Sequence, residues 1–168
     1  MTNELNTLNS NEKIDRLEQL MLNSETLINF PVIHKFTPGP YSREIFMPKG
    51  SMLTSKVHKT EHPFVVLTGV CVVTTPDGEP QVFAAGHSGI TQPNTRRVLY
   101  IEDDCRWITF HPLSKEEEEA RESGLEEADL LDLIENRIIE QPALTDNAKS
   151  VHELYREKMS KSLTEETV

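Results

Sequence analysis

The sequence predicts a mainly β domain, an antiparallel barrel or jelly roll, with one helix before it and helices after it. About eight short β-prone runs follow one another between residues 31 and 112, separated by Gly, Pro and Asp and with no helical pattern among them. The flanking segments, 1–30 and 113–168, instead carry apolar residues at helical spacing. A chain of 168 residues is long enough for one domain with a core and extra elements.

The first segment predicts a short helix over residues 11–22, which Ser10 or Asn11 can cap. The apolar residues of its stripe are Ile14, Leu17, Met21 and Leu22. This stripe can pack on the rest of the chain or pair with another subunit, and both alternatives stay open.

The predicted strands in the middle segment are short and closely spaced. The stretch Thr-Pro-Asp-Gly-Glu at 75–79 predicts a hairpin turn, because proline fixes φ and glycine and aspartate favour turns. The predicted strands cover residues 31–36, 41–47, 51–57, 63–75, 81–84, 89–92, 97–102 and 106–111.

The last segment predicts three helices. Ser114 and Glu117 have capping-box spacing at the start of an acidic helix, and Gly124 can end it. A second helix is expected over 126–140 and a third over 148–161. The second helix has an apolar face formed by Leu130, Leu131, Ile134 and Ile138.

Charge and composition exclude some classes of function. The net charge is −11, and the two flanks carry −3 (residues 1–30) and −9 (113–168) while the middle segment carries +1. An acidic chain disfavours nucleic-acid binding. No apolar run is long enough for a membrane span, and no secretory signal is visible, so we expect a cytoplasmic protein that binds no membrane. Cys71 and Cys105 lie in apolar runs and are expected to be free, buried thiols.

The stretch from Gly50 to Gly69 has the most informative spacing. Its motif positions are Lys56, His58 and His62, separated as in the pattern G-x5-H-x-H-x3,4-E-x6-G. The stretch therefore resembles the first cupin motif. Lys56 replaces the first histidine of that motif, and His62 replaces its glutamate.

The second cupin motif, G-x5-P-x-G-x2-H-x3-N, is met only loosely. Six residues, not five, separate Gly86 from Pro93, and Thr95 stands where the motif has glycine. The position of the distant histidine falls on Val98, or on Arg97 if the turn is one residue shorter.

The resemblance covers residues 31–112 and implies a single cupin (RmlC-like) double-stranded β-helix. On this view 1–30 is an N-terminal helix and linker, 31–112 is the barrel and 113–168 is an acidic helical extension. The stretches REIFMPKGSMLTSKVHKTEHPFVVLTG and PNTRRVLYIEDDCRWITFHP are also similar to small cupin-like proteins of phages and prophages. That likeness implies the host cytoplasm for a phage-encoded chain, and it implies no settled activity.

His58 and His62 are the candidate metal ligands. In the cupin arrangement they face each other across a hairpin and point into the barrel, where two imidazoles suit Fe, Mn, Ni or Zn. A metal needs a third ligand, and the candidates are His111, Glu61 and His87. Two alternatives remain open: the pair can hydrogen-bond an organic ligand without a metal, or it can be a structural polar pair.

Lys56 and Arg97 are the candidate anion-binding residues. With His58 and His62 they would form a positive site in an acidic protein, suited to a small anion. The alternative for Arg97 and its neighbour Arg96 is a solvated pair, or salt bridges to the acidic residues at 102–104.

Three functions are consistent with these patterns. The first is a barrel that binds a small, anionic molecule, with or without one divalent transition metal. The second is a metal-dependent cupin enzyme of the oxygenase or isomerase type, and the third is a phage structural or accessory protein that uses the barrel as a scaffold. We also expect a homodimer, because a sheet edge and two amphipathic flanking helices are available for pairing.

Overall fold

The computed structural model describes residues 9–25, 28, 30–76 and 78–140, and these contain three helices and seven strands. Contacts divide the chain into two units, and the unit Phe30–Glu140 holds every described strand together with α2 and α3. In chain order the elements are α1 (Ser10–Leu22), β1 (Val32–Phe36), β2 (Pro40–Met47), β3 (Met52–Thr54), β4 (His62–Thr74), β5 (Gln81–Ala84), β6 (Ser88–Thr91), β7 (Val98–Pro112), α2 (Lys115–Glu122) and α3 (Glu127–Ile138). The predicted third C-terminal helix, 148–161, lies outside the described residues.

Helix α1 forms where it was predicted, but it begins one residue earlier. Asn9 is the N-cap: its side-chain oxygen accepts a hydrogen bond from the backbone N–H of Glu12, and the Glu12 carboxylate accepts one from the N–H of Asn9. The predicted cap at Ser10 or Asn11 is therefore wrong, because only Asn9 stands three residues before a glutamate that can complete a capping box.

No helix of the described residues is long and apolar enough to cross a membrane.

The strands pair entirely in antiparallel fashion, in the order β1-β2-β7-β4-β5, with β3 added to β7 and β6 added to β4. β4 and β7 are long strands of 13 and 15 residues that pair with each other. Each also pairs with one neighbour along one half and with another along the other half. This sharing curls the strands around a common interior and confirms the predicted mainly β jelly roll with helical flanks.

The predicted strands 97–102 and 106–111 are one strand, β7. Its pairing with β4 is irregular around Gly69, where the register shifts between Thr68, Val70 and Cys71. The exposed acidic residues at 102–104 lie at this irregularity, and it is their polarity that made the strand look interrupted in the sequence.

The barrel core is formed by side chains that alternate along the strands. Cys71 and Cys105 lie in it as buried free thiols, as predicted. The buried residues of this core are Met47, Phe64, Val66, Cys71, Val73, Phe83, Leu99, Ile101, Cys105 and Trp107.

Helices α2 and α3 pack at the end of the barrel where β7 finishes. Ser114 caps α2 in the predicted capping box with Glu117. Glu117 also accepts a hydrogen bond of 2.6 Å from Nε of Arg137, which ties α2 to α3. The apolar face of α3 contacts Tyr41 of β2 in a second core, whose buried residues are Tyr41, Leu130, Ile134 and Ile138.

A candidate metal centre

Three histidines meet inside the barrel end that α3 packs against. The ring centroids are 4.3 Å apart for His58 and His62, 4.5 Å for His62 and His111, and 5.3 Å for His58 and His111. One ring nitrogen from each lies within 4.8 Å of the other two. We call these three residues the histidine triad.

Strand register brings His62 and His111 together. Phe64 of β4 pairs with Thr109 of β7 in antiparallel register. His62 lies two residues before Phe64, and His111 lies two residues after Thr109. The two histidines therefore face each other on the inner side of the sheet, where both are buried.

Helix α3 holds His58. The segment around His58 does not pair with β4; His58 forms an isolated bridge with Ile139, just past the end of α3. The N–H of Lys59 donates to the carbonyl of Ile138, and the N–H of Glu140 donates to the carbonyl of Val57, at 2.7 and 2.9 Å. The predicted hairpin between the two motif histidines is wrong, because β3 ends at Thr54 and pairs with β7, and the C-terminal end of α3 takes the place of a partner strand.

Each ring of the triad has one nitrogen held by the surrounding chain. Nδ1 of His62 lies 3.3 Å from the carbonyl oxygen of Thr60, and Nε2 of His111 lies 3.2 Å from Oγ1 of Thr109. A hydrogen bond to the backbone of Lys56 raises the pKa of the His58 ring and so opposes the effect of burial. Such bonds fix the orientation and tautomer of metal-binding histidines.

Burial keeps the triad neutral. Loss of hydration is the largest cause in each case, and with the neighbouring positive groups it lowers the pKa of His58 and of His111 to about 3. The pKa of His62 is also lowered, by burial and by Arg97, although its bond to Thr60 opposes the shift. Neutral imidazoles have a free lone pair at pH 7, which is the form that binds metals.

The triad fits a divalent transition metal. Nδ1 of His111 is buried and has no hydrogen-bond partner among the described residues, which is costly unless something else binds it. Zinc ligands at about 2.0–2.1 Å from the ion stand roughly 3.4 Å apart in a tetrahedral site. Since the nitrogen atoms lie within 4.8 Å of one another, small rotations of the rings would bring them to that spacing.

The other predicted ligand candidates lie away from the triad. Glu61 is exposed. His87 is exposed, and its ring stacks on Phe83 with 3.9 Å between centroids. Of the three candidates for a third ligand, the structure therefore brings only His111 to His58 and His62.

The two predicted cationic residues have different surroundings. Nζ of Lys56 lies 2.9 Å from Oε1 of Glu135, so Lys56 joins the His58 segment to α3. The Arg97 guanidinium lies over the core rings of Phe64 and Trp107, at 5.1 and 5.9 Å from their centroids. Its Nη1 donates a 3.1 Å hydrogen bond to Oγ1 of Thr91. Arg97 thus points into the barrel, beside His62.

Sequence reasoning missed the inward residues of β2. Tyr41 stacks on His111 with 5.9 Å between ring centroids, and its hydroxyl lies 2.7 Å from Nδ1 of His34. Arg43 lies two residues further along the same face, opposite Thr109. The alternation of β2 could have identified them, because Tyr41, Arg43 and Met47 share one face of the predicted strand 41–47.

No protein-family model and no curated protein matches this sequence. The chain is similar to solved structures of very low identity. One is an RmlC-like cupin family protein with a double-stranded β-helix fold from Methanocaldococcus jannaschii (13% identity, TM-score 0.43, covering 53% of this chain and 84% of that one). Another is a cupin superfamily protein from Desulfitobacterium hafniense (8% identity, TM-score 0.44, covering 58% and 88%).

A third similar structure is a cupin-2 domain-containing protein from Shewanella frigidimarina (13% identity, TM-score 0.40, covering 66% of this chain and 98% of that one). The likeness to phage proteins stays a prediction.

Proposed function

We propose that the chain binds one divalent transition-metal ion through His58, His62 and His111 and uses it to hold a small anionic molecule in the barrel. The observation that carries this proposal is the buried, unpartnered Nδ1 of His111 beside two other neutral imidazoles. Imidazole ligands suit Zn, Fe, Ni and Cu better than Mg or Ca. A metal would give this nitrogen the partner that it lacks.

The anionic character of the bound molecule follows from charge. All three ligands are neutral, so the ion would keep its full positive charge inside the barrel. The Arg97 guanidinium lies close enough to His62 to lower its pKa. A buried site with a divalent cation and an adjacent arginine is stabilised by a negative group.

Metal content of untagged protein tests the metal site directly. We expect native mass spectrometry and elemental analysis to find one transition-metal ion per chain after loading with Zn²⁺ or Fe²⁺. His111→Ala and His62→Ala should each lose it, since two ligands rarely hold a metal tightly. His87→Ala is the matched control, because His87 is an exposed histidine outside the triad, and it should retain the metal. Equal metal content in all four proteins would contradict the proposal.

A metal-dependent enzyme is the second candidate, because three ligands would leave a coordination position open. Structural zinc sites usually have four protein ligands, whereas catalytic ones usually have three. Replacing the ion with Co²⁺ gives visible absorption bands that report on its ligands. We expect azide to change these bands if the position is open, and an unchanged spectrum would argue against this second function.

A further inference from the structure

Arg43 places a positive charge on the inner face of β2. Tyr41 and Arg43 are two residues apart and therefore point to the same side of the strand. Tyr41 is 1% exposed and pairs with His111, so this side faces the interior. Arg43 pairs with Thr109, the residue whose hydroxyl lies against the His111 ring. Arg43 thus lies two residues along β2 from Tyr41, the residue that pairs with His111 of the triad.

The Arg43 guanidinium makes no direct hydrogen bond or ion pair with a residue that the structure describes; the Glu135 carboxylate, which contacts Lys56, attracts it only at longer range. Arg97 and Arg106 differ, since the first donates to Thr91 and the second donates to Glu44. Burial is the largest cause of a lowered pKa at Arg43, and its charge in turn lowers the pKa of His58 and His111. A half-buried charge without a partner is costly, and a folded protein rarely keeps one without a use.

We propose that Arg43 binds the carboxylate of a small organic acid that also reaches the metal of the histidine triad. This inference rests on the proposed function and names the class of its ligand. The planar guanidinium fork matches a carboxylate in two parallel hydrogen bonds. The bound acid would place a negative charge in direct contact with both Arg43 and the ion.

A carboxylate suits this position better than a phosphate does. A phosphate group presents three oxygens and more negative charge, so it needs several donors. The guanidinium of Arg97 already donates one hydrogen bond to Thr91, and Nζ of Lys56 already contacts Glu135, so both have fewer donors left for a phosphate. Arg43 is then the principal donor, and one arginine satisfies one carboxylate.

Isothermal titration calorimetry on the Zn²⁺-loaded full chain tests the inference with acetate, oxalate, succinate and inorganic phosphate as probes. We expect at least one of the carboxylates to bind more tightly than phosphate. Arg43→Gln should weaken that binding at least tenfold, and Arg43→Lys should restore it only in part because lysine lacks the fork. Arg106→Gln removes an equal charge from the exposed outer face of the same strand pair, and it should change the affinity less than twofold.

A second measurement separates ligand binding from a structural role. If Arg43 lacks a partner in the ligand-free protein, Arg43→Gln should leave its Tm unchanged or raised. A lowered Tm with unchanged carboxylate affinity would overturn the inference, as would phosphate binding more tightly than every carboxylate. Failure of the wild-type chain to take up Zn²⁺ would instead contradict the proposed metal site. The metal-free chain would then still report whether succinate binding depends on Arg43.

Discussion

The hydroxyl of Thr109 lies 3.2 Å from Nε2 of His111, and this contact occupies one of the two ring nitrogens. With Nε2 held by the hydroxyl, Nδ1 is left as the buried atom without a partner. If Nδ1 held a metal, Nε2 would carry the ring proton and donate a hydrogen bond to Oγ1 of Thr109. Thr109 is therefore a positioning residue for the candidate metal centre.

Replacing Thr109 with valine should weaken metal binding while leaving the fold intact. Valine has nearly the same shape but cannot hold the His111 ring in its tautomer, and loss of such a partner typically costs about 10- to 100-fold in metal affinity. Competition with a chromophoric chelator measures the effect. Thr109→Ser keeps the hydroxyl and should retain most of the affinity. A valine variant that binds Zn²⁺ as tightly as the serine variant would contradict the positioning role.

The pattern of β-prone runs predicted part of the site, because alternating apolar residues limit how two strands can pair. His62 immediately precedes the predicted strand 63–75 and His111 ends the predicted strand 106–111, so their approach follows once those strands pair; the sequence did not show that the face of His111 is the inner one. The position of His58 could not be predicted in this way, because His58 lies between β3 and β4 and belongs to neither strand. It depends on the bridge to Ile139, a contact between residues far apart in sequence that local spacing does not encode.

The sequence predicted correctly those features whose interacting residues lie within one helical turn of each other. The capping box at Ser114 and the α3 stripe were predicted because their partners lie within four residues. Arg43 was missed because a charged residue in a strand is usually exposed, although alternation puts it on the same face of β2 as Tyr41 and Met47, and its pairing opposite Thr109 shows that this face is inward. Lys56 occupies a cupin ligand position by spacing, and its contact with Glu135 could not be read from that spacing.

Gly69 should be far less tolerant of alanine than Gly86. Both have positive φ, +83° and +88°, so alanine costs roughly 1–2 kcal/mol at either. At Gly69 an added Cβ would also lie 2.2 Å from the backbone oxygen of Asp104, and backbone atoms at the β4–β7 irregularity cannot move aside. At Gly86 it would meet nothing within 4 Å.

Urea unfolding of Gly69→Ala and Gly86→Ala compares the two sites with the same change of residue. We expect the free energy of unfolding to fall by at least about 2 kcal/mol more in Gly69→Ala than in Gly86→Ala, because overpacking against a rigid neighbour usually costs about 1–3 kcal/mol or more. Equal losses would mean that the bulge relaxes freely.

The packing of α3 should control both stability and the metal site. Ile134 is fully buried in the core that α3 shares with Tyr41, and Ile134→Ala should cost about 2–5 kcal/mol. Because the end of α3 also bridges His58, we expect Zn²⁺ affinity to fall as well. Leu125→Ala removes a similar side chain that is 38% exposed, and it should change both properties little. Unaltered Zn²⁺ binding in a destabilised Ile134→Ala protein would show that α3 does not hold His58 in place.

Stability of the metal-free protein should fall as the pH drops below about 6.5. The folded chain keeps His58 and His111 neutral, since burial lowers the pKa of each from 6.5 to about 3. The unfolded chain takes up these protons between the two values, so it is favoured as pH falls through this window. Above pH 6.5 both states are neutral and the effect vanishes.

Each of these two buried histidines should lower the free energy of unfolding by about 1–2 kcal/mol when the pH changes from 7.5 to 5. Urea unfolding at the two pH values measures the difference, and the double variant His58→Gln, His111→Gln should show a smaller one because glutamine does not titrate. Bound Zn²⁺ should still add stability at pH 5, because the pKa values of His58 and His111 in the folded chain lie well below that pH and protons hardly compete with the ion for their ring nitrogens. Identical pH dependence in the wild type and the double variant would show that His58 and His111 titrate in the folded protein as they do in the unfolded chain.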